Sequence, residues 1–310
     1  MDSKKRQLRG ILFAIVTALF WGVLAIGLKV AAEFIDSISI VWFRFFISFS
    51  FLASFYAFRK PKALRIIYSA PPILYLAAIF LGLNYLGFMN GIRHTDPNTA
   101  QIIIQMGPIL LGLMGFVLFK EKINLRQGFG FIIAGAGLVI FYRQSLISLV
   151  EERSLFNQGV WWIVVAALAW MLYALIQKRL VARIPSQELN LVIFGLPMLA
   201  FLPGVQWDAL AGLETWQWWL MIFLGLNTLI GYGSLAYAIE LTDINKVSVI
   251  ITMNPMLTIL LMAAISIWEV SWMEGRVLDT VSALAALMVI AGGVVAVVFR
   301  KGRFVEPEAD

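Results

Sequence analysis

Two prolines interrupt long apolar runs at Pro108 and Pro255, and polar residues stand close to each: Gln101 and Gln105 before the first, Thr252 and Asn254 before the second. A proline within a helix donates no backbone hydrogen bond and frees the carbonyl four residues earlier, here that of Ile104 or Ile251. In hydrocarbon a freed carbonyl must find another partner. Two readings stay open at this point. The broken segments could face each other and offer carbonyls and amides to a polar solute, or neighbouring helices could satisfy two packing kinks. Asn84 and Asn227 pose the same choice, since each lies deep in an apolar run where a polar side chain faces protein or a cavity. Trp21 and Trp170, together with Tyr85, Tyr173, Tyr232 and Tyr237, supply rings that can stack and donate one hydrogen bond, or serve as plain core. All of this is binding chemistry.

Catalysis finds no support in the same residues. The chain has no cysteine and one histidine, His94, which excludes thiolate nucleophiles, disulfides and a histidine-rich metal site. Gly128-Phe-Gly130 lacks the preceding strand of a dinucleotide fingerprint, and there is no phosphate-binding Gly-x4-Gly-Lys-Ser/Thr loop. No cofactor or metal is expected. Two cations do intrude on the apolar runs, Lys29 and Arg44. Burying a lone cation costs at least about 2.5–3.5 kcal/mol on insertion scales, so each should pair or reach outward. Glu33 is available to Lys29 locally; Arg44 should snorkel, form a structural pair, or receive a solute carboxylate, and the two are read as outer-side or gating charges.

What must position these groups follows from composition. Of 310 residues 61% are apolar and only 14% charged, a mixture that a water-exposed fold cannot hide. Bilayer-length runs lie at 10–31, 39–57, 71–91, 98–118, 127–142, 159–177, 189–205, 217–239, 247–267 and 280–299, which makes ten expected transmembrane helices. The first is too long for a signal peptide and lacks a cleavage site. Of the 24 basic residues, Arg93, Arg143, Arg153 and Arg276 fall on one side, Lys29 and Arg44 lie in spans, and the remaining 18 lie on the side of the N-terminus. That bias places both termini in the cytoplasm. The net charge of +6 is therefore topological, and the scatter of basic residues over short segments argues against nucleic acid. Trp161, Trp162, Trp216, Trp218 and Trp219 lie near span ends, as interfacial anchors do.

The chain also repeats itself. Gly10 to Lys29 aligns without a gap with Gly159 to Lys178, pairing Trp21 with Trp170. Leu81-Gly82-Leu83-Asn84 recurs as Leu224-Gly225-Leu226-Asn227, Thr95-Asp96 as Thr242-Asp243, and Met106 with Pro108 as Met253 with Pro255. Five spans per repeat is an odd number, so the second copy enters the membrane from the opposite side. Inverted repeats are a recurrent device of secondary transporters, and interrupted helices at matched positions point to their site. The expected division is residues 1–143 for the first repeat, 144–157 for a linker, 158–301 for the second repeat and 302–310 for a disordered cytoplasmic tail.

Trp21, Arg44-Phe45, Ala100 with Pro108 and Glu121, then Gln127-Gly128 and Ala134-Gly135 resemble the ten-helix, EamA-type branch of the drug/metabolite transporter superfamily. The second half repeats the pattern through Trp170, Pro255, Glu269 and Ala291-Gly292, without a counterpart of Arg44. The resemblance covers essentially the whole chain. It implies an exporter or facilitator of amino acids and other metabolites, with the fifth and tenth helices peripheral. All 18 acidic residues lie outside the expected spans, which argues against a proton-exchanging antiporter of lipophilic cations. Glu121 and Glu269 end the fourth and ninth spans on opposite sides, and each is a candidate for a gating pair with nearby Lys or Arg or for a plain solvated helix end. The expectation is an all-α, multi-pass inner-membrane transporter, monomeric or homodimeric, that moves small neutral or zwitterionic solutes by alternating access. Nucleosides, sugars or organic acids are the alternative cargo, and a membrane subunit without transport is the competing class.

Overall fold

The computed structural model describes residues 3–119, 125–141, 143, 155–242, 247, 250–268 and 278–298. Every regular element among them is helical. In the first half α1 is Ser3–Ala31, α2 Ser37–Arg59, α3 Ile66–Ser69, α4 Pro72–His94, α5 Pro97–Ile103, α6 Met106–Phe119 and α7 Leu125–Phe141. The second half holds α8 Leu155–Leu180, α9 Ser186–Phe201, α10 Trp207–Ala211, α11 Thr215–Leu241, α12 Asn254–Ile267 and α13 Thr280–Val298. Among the described residues seven segments are long and apolar enough to cross a membrane: Lys5–Ala31, Ser37–Arg59, Pro72–His94, Leu155–Leu180, Ser186–Gly204, Thr215–Leu241 and Ile250–Ile267. Gly128–Phe141 and Thr280–Val295 are shorter apolar helices. α8 starts three residues inside the expected 144–157 linker; the rest of that linker, the 302–310 tail, Glu121 and Glu269 lie outside the described residues.

The expected fourth span, 98–118, is two helices. α5 ends at Ile103, Ile104 and Gln105 form a turn, and α6 restarts at Met106, which puts Pro108 in the first turn of the new helix. In the second half a turn at Met253 separates a helical stretch at 250–252 from α12, again with proline in the first turn. A first-turn proline removes no intrahelical bond, because that N–H has no partner in any helix. The Ile104 carbonyl is consequently not left free: it accepts from the Gly107 N–H at 2.9 Å, three residues on. Asp96 caps α5, its carboxylate accepting from the Thr99 N–H at 3.1 Å and the Thr99 hydroxyl at 2.7 Å.

Each half packs mainly across the other. α1 lies along α11, α4 along α8, α7 along α13, and α2 against both α9 and α11. The α4–α8 contact is close because Gly87 and Gly91 face it; a Cβ at Gly87 would stand 2.9 Å from the Trp162 carbonyl oxygen. Gly292 meets the backbone of Ala134 in the same way where α13 crosses α7. Small residues at such crossings let apolar helices gain packing that the hydrophobic effect does not supply in lipid. Polar residues within the helices turn inward while part of the apolar surface faces outward: Asn227 and Thr258 are fully buried, whereas Phe55 and Leu260 are 58% and 66% exposed.

Contacts at the helix ends fix their directions. At one end Gly10 of α1 abuts Thr242, which follows α11, and Lys60 after α2 pairs with Glu188 of α9 at 2.7 Å. At the other end Gly159 of α8 abuts Thr95, which follows α4, while Phe34 meets Trp216. The first long helices of the two halves, α1 and α8, thus start from opposite ends of the bundle.

Candidate solute cavity

A cavity of about 580 Å³, counted together with its opening to solvent, lies where the two halves meet. Nine expected binding residues line it. Trp21 comes from α1, Asn84 and Tyr85 from α4, Gln101 from α5, and Gln105 and Pro108 from the turn and the helix after it. The second half contributes Trp170 from α8, Tyr232 from α11 and Asn254 at the start of α12. Trp21 and Trp170, matched by the internal repeat, meet edge to face with their rings 6.3 Å apart, and Tyr232 lies 4.9 Å from the Trp21 ring. Tyr85 continues this aromatic wall at 5.4 Å from Tyr232.

The amides are ordered by the broken helices. Gln105 donates through Nε2 to the Gln101 carbonyl at 3.2 Å and to Asn254 Oδ1 at 3.0 Å, which joins the two interrupted segments directly. Gln101 Nε2 donates to the Trp21 carbonyl at 2.7 Å. Because Nε2 of Gln105 must face a backbone acceptor, its orientation is set, and the buried Oε1 has no partner among the described residues. Asn84 donates to the Ala166 carbonyl at 2.9 Å while its Oδ1 accepts from the Tyr232 hydroxyl at 3.3 Å.

Four expected binding residues do not line the cavity. Tyr173 is fully buried behind Tyr232, ring to ring at 6.0 Å, and Asn227 ties α11 to α1 by donating to the Phe20 carbonyl at 2.8 Å. Thr252 packs its methyl against Gly293 of α13, and Pro255 is buried within α12. Tyr237, grouped with the cavity rings from sequence, is 39% exposed and stacks on Phe13. Ile104 and Ile251, marked in the sequence for their carbonyls four residues ahead of the prolines, also line the cavity, as do Leu24 and Phe88, which nothing in type or spacing separates from the many other apolar residues around them.

The two span cations behave differently from each other and from the expectation. Lys29 does not pair with Glu33; its ammonium donates to the carbonyls of Ile92, Arg93 and Thr95 at 3.3, 3.1 and 2.8 Å, where α4 ends without intrahelical donors. Arg44 does not snorkel. It is 2% exposed and lines the cavity, with Nε donating to Thr228 Oγ1 at 3.0 Å and the guanidinium 4.2 Å from the Tyr85 ring centre. Its partners, Tyr85 on α4 and Thr228 on α11, are themselves buried within the bundle. Thr228 was missed from sequence, because a threonine four residues after Leu224 reads as an ordinary back-bonding helix residue.

Long apolar helices enclosing a polar, aromatic cavity define a multi-pass membrane protein with room for a small solute. The chain belongs to the EamA-like transporter family, which matches residues 8–143 and again residues 157–299. It is 31% identical over 286 residues to YhbE, an uncharacterized inner membrane transporter of Escherichia coli (strain K12), covering 91% of this chain and 89% of that one. An uncharacterized transporter of Haemophilus influenzae (strain ATCC 51907 / DSM 11121 / KW20 / Rd) is 30% identical over 300 residues, covering 96% and 97%. A solved crystal structure shares the fold with a TM-score of 0.66 at 15% identity, over 93% of this chain and 97% of that one.

Proposed function

We propose that the protein is a secondary transporter that exports, or facilitates the passage of, amino acids or similar small neutral or zwitterionic metabolites by alternating access. The observation that carries this reading is the cavity itself. It lies between the two halves, is walled by the matched pair Trp21 and Trp170, and is crossed by the amide link between the two interrupted segments. Interrupted segments linked by a hydrogen bond across a cavity can separate toward either end of the bundle more cheaply than packed continuous helices.

On this proposal the chain crosses the inner membrane ten times as two inverted five-helix repeats. The opposite starting ends of α1 and α8 support the inversion, as does the crosswise pairing of α1 with α11 and α4 with α8. The name of the Escherichia coli relative supports the inner membrane. The end that carries Lys60, Lys62 and Arg65 is then cytoplasmic, and both termini lie on that side.

Purified protein in liposomes should move at least one labelled solute from a panel of amino acids, nucleosides, sugars and organic acids. Trp170→Ala should slow that flux up to about tenfold, the loss of one aromatic wall contact. Pro255→Ala, normally folded, should slow it as well by fusing the interrupted segment into one helix. No flux above protein-free liposomes for the whole panel would leave only the reading of a non-transporting membrane subunit.

A further inference from the structure

We propose that Arg44 is the recognition point for a solute carboxylate, so that the cargo is a small acid with an apolar or aromatic body. This deepens the transport reading and rests on it for the cavity being the solute path. Arg44 is the one formal charge among the described residues of the lining. No carboxylate among the described residues pairs with it; its guanidinium meets Thr228 Oγ1 through Nε and lies over the Tyr85 ring. A guanidinium carries five N–H donors, and a single bond to a hydroxyl leaves most of them unused. The guanidinium carbon sits 4.2 Å from the Tyr85 ring centre, and the N–H donors beyond Nε form the edge that takes a carboxylate in two parallel bonds. A buried cation without a counter-ion is costly, and an anionic solute would complete it.

The remaining lining fits the rest of such a molecule. Trp21, Phe88, Trp170 and Ile251 give apolar and aromatic walls, and Oε1 of the buried Gln105, without a partner among the described residues, would accept from a solute amine or hydroxyl. With a cation, an acceptor and no acid, the cavity suits an amino or hydroxy acid better than a nucleoside, a sugar or an organic cation.

The test compares L-alanine, L-leucine and L-phenylalanine with the amide of each, which keeps the body and the amine but removes the negative charge. Binding to detergent-purified protein is read from the rise in thermal midpoint, since a ligand that binds only the folded state stabilises it. At least one acid should raise the midpoint with an apparent affinity about tenfold or more above its amide. Arg44→Gln should remove that preference and Arg44→Lys should restore part of it. The wild-type comparison stands even where Arg44→Gln does not fold. Equal stabilisation by acids and amides, or by none of the acids, would overturn the proposal. Acid-selective binding without flux in liposomes would instead defeat the transport reading and leave the carboxylate site standing, whereas equal flux of acids and amides would do the reverse.

Discussion

Asn84 and Asn227 occupy equivalent places in a repeated Leu-Gly-Leu-Asn, yet their surroundings give them separate work. Each donates to a carbonyl on the first long helix of the opposite half, Asn84 to Ala166 of α8 and Asn227 to Phe20 of α1. Only Asn84 also lines the cavity, where its oxygen holds the Tyr232 hydroxyl. Asn227→Ala should therefore lower stability by about 0.6–2 kcal/mol, the value of one interhelical bond in a membrane, and leave solute affinity unchanged. Asn84→Ala should carry the same stability cost and weaken solute binding besides. Thermal unfolding measured alongside binding separates the two outcomes. Identical effects on affinity would mean that the repeat, and not the cavity, governs these positions. The sequence marks both asparagines as inward-facing, because a lone amide in hydrocarbon is expensive, but it cannot say which of two equivalent inward positions borders empty space.

Helix existence was legible, and so was the interruption of two helices, but not the residues at which they break. Apolar runs predict the long helices to within a few residues, for instance 217–239 against Thr215–Leu241 and 280–299 against Thr280–Val298. Local caps set several ends. Asp279 caps α13 by accepting from the Ser282 hydroxyl at 2.5 Å and the Ser282 N–H at 3.1 Å, and it pairs with Arg143 at 3.3 Å. These hydrogen bonds from Ser282, and then the Arg143 guanidinium, hold its carboxyl down to about 2. A carboxyl whose folded-state value is depressed stabilises the fold above the ordinary carboxylate range and loses that contribution as pH falls toward its folded value. Asp279→Ala should accordingly lower the thermal midpoint near neutral pH, and the gap to wild type should narrow between 3.8 and about 2. A gap that stays constant across that window would show that the cap's charge contributes nothing. The sequence marks an interruption at Pro108 but not where it falls: the turn lies at Ile104 and Gln105, ahead of the proline. Starting a fresh helix just before the proline costs the chain fewer hydrogen bonds than bending one helix around it.

At the scale of the molecule the halves are tied at the end that carries α1's start. Lys60 meets Glu188 across them, and Arg6 donates to the Glu240 carbonyl at 3.3 Å. The Lys60 side chain is 64% exposed, so the pair adds little stability. If alternating access parts the halves there, bridging the two positions should stop it. The chain has no cysteine of its own, so Lys60→Cys with Glu188→Cys gives a clean background. A bis-maleimide bridge should reduce flux to that of protein-free liposomes, while a monofunctional maleimide should not. In cells both thiols should react with an impermeant reagent only after permeabilisation, as cytoplasmic positions would. Full flux through the bridged protein would mean that the halves do not part at this end. The sequence by itself determined that the chain is helical and membrane-embedded, that it is built twice, and which polar residues must be sheltered, because hydrocarbon penalises every exposed polar group and a repeat is written in residue order. Tertiary structure alone decided that Trp21 meets Trp170, that Gln105 reaches Asn254, that Arg44 turns inward onto Tyr85 and Thr228, and that Asn227 and Tyr173 stand behind the cavity. Those outcomes depend on how helices from opposite halves are rotated and crossed, which is settled by close packing among residues far apart in the chain.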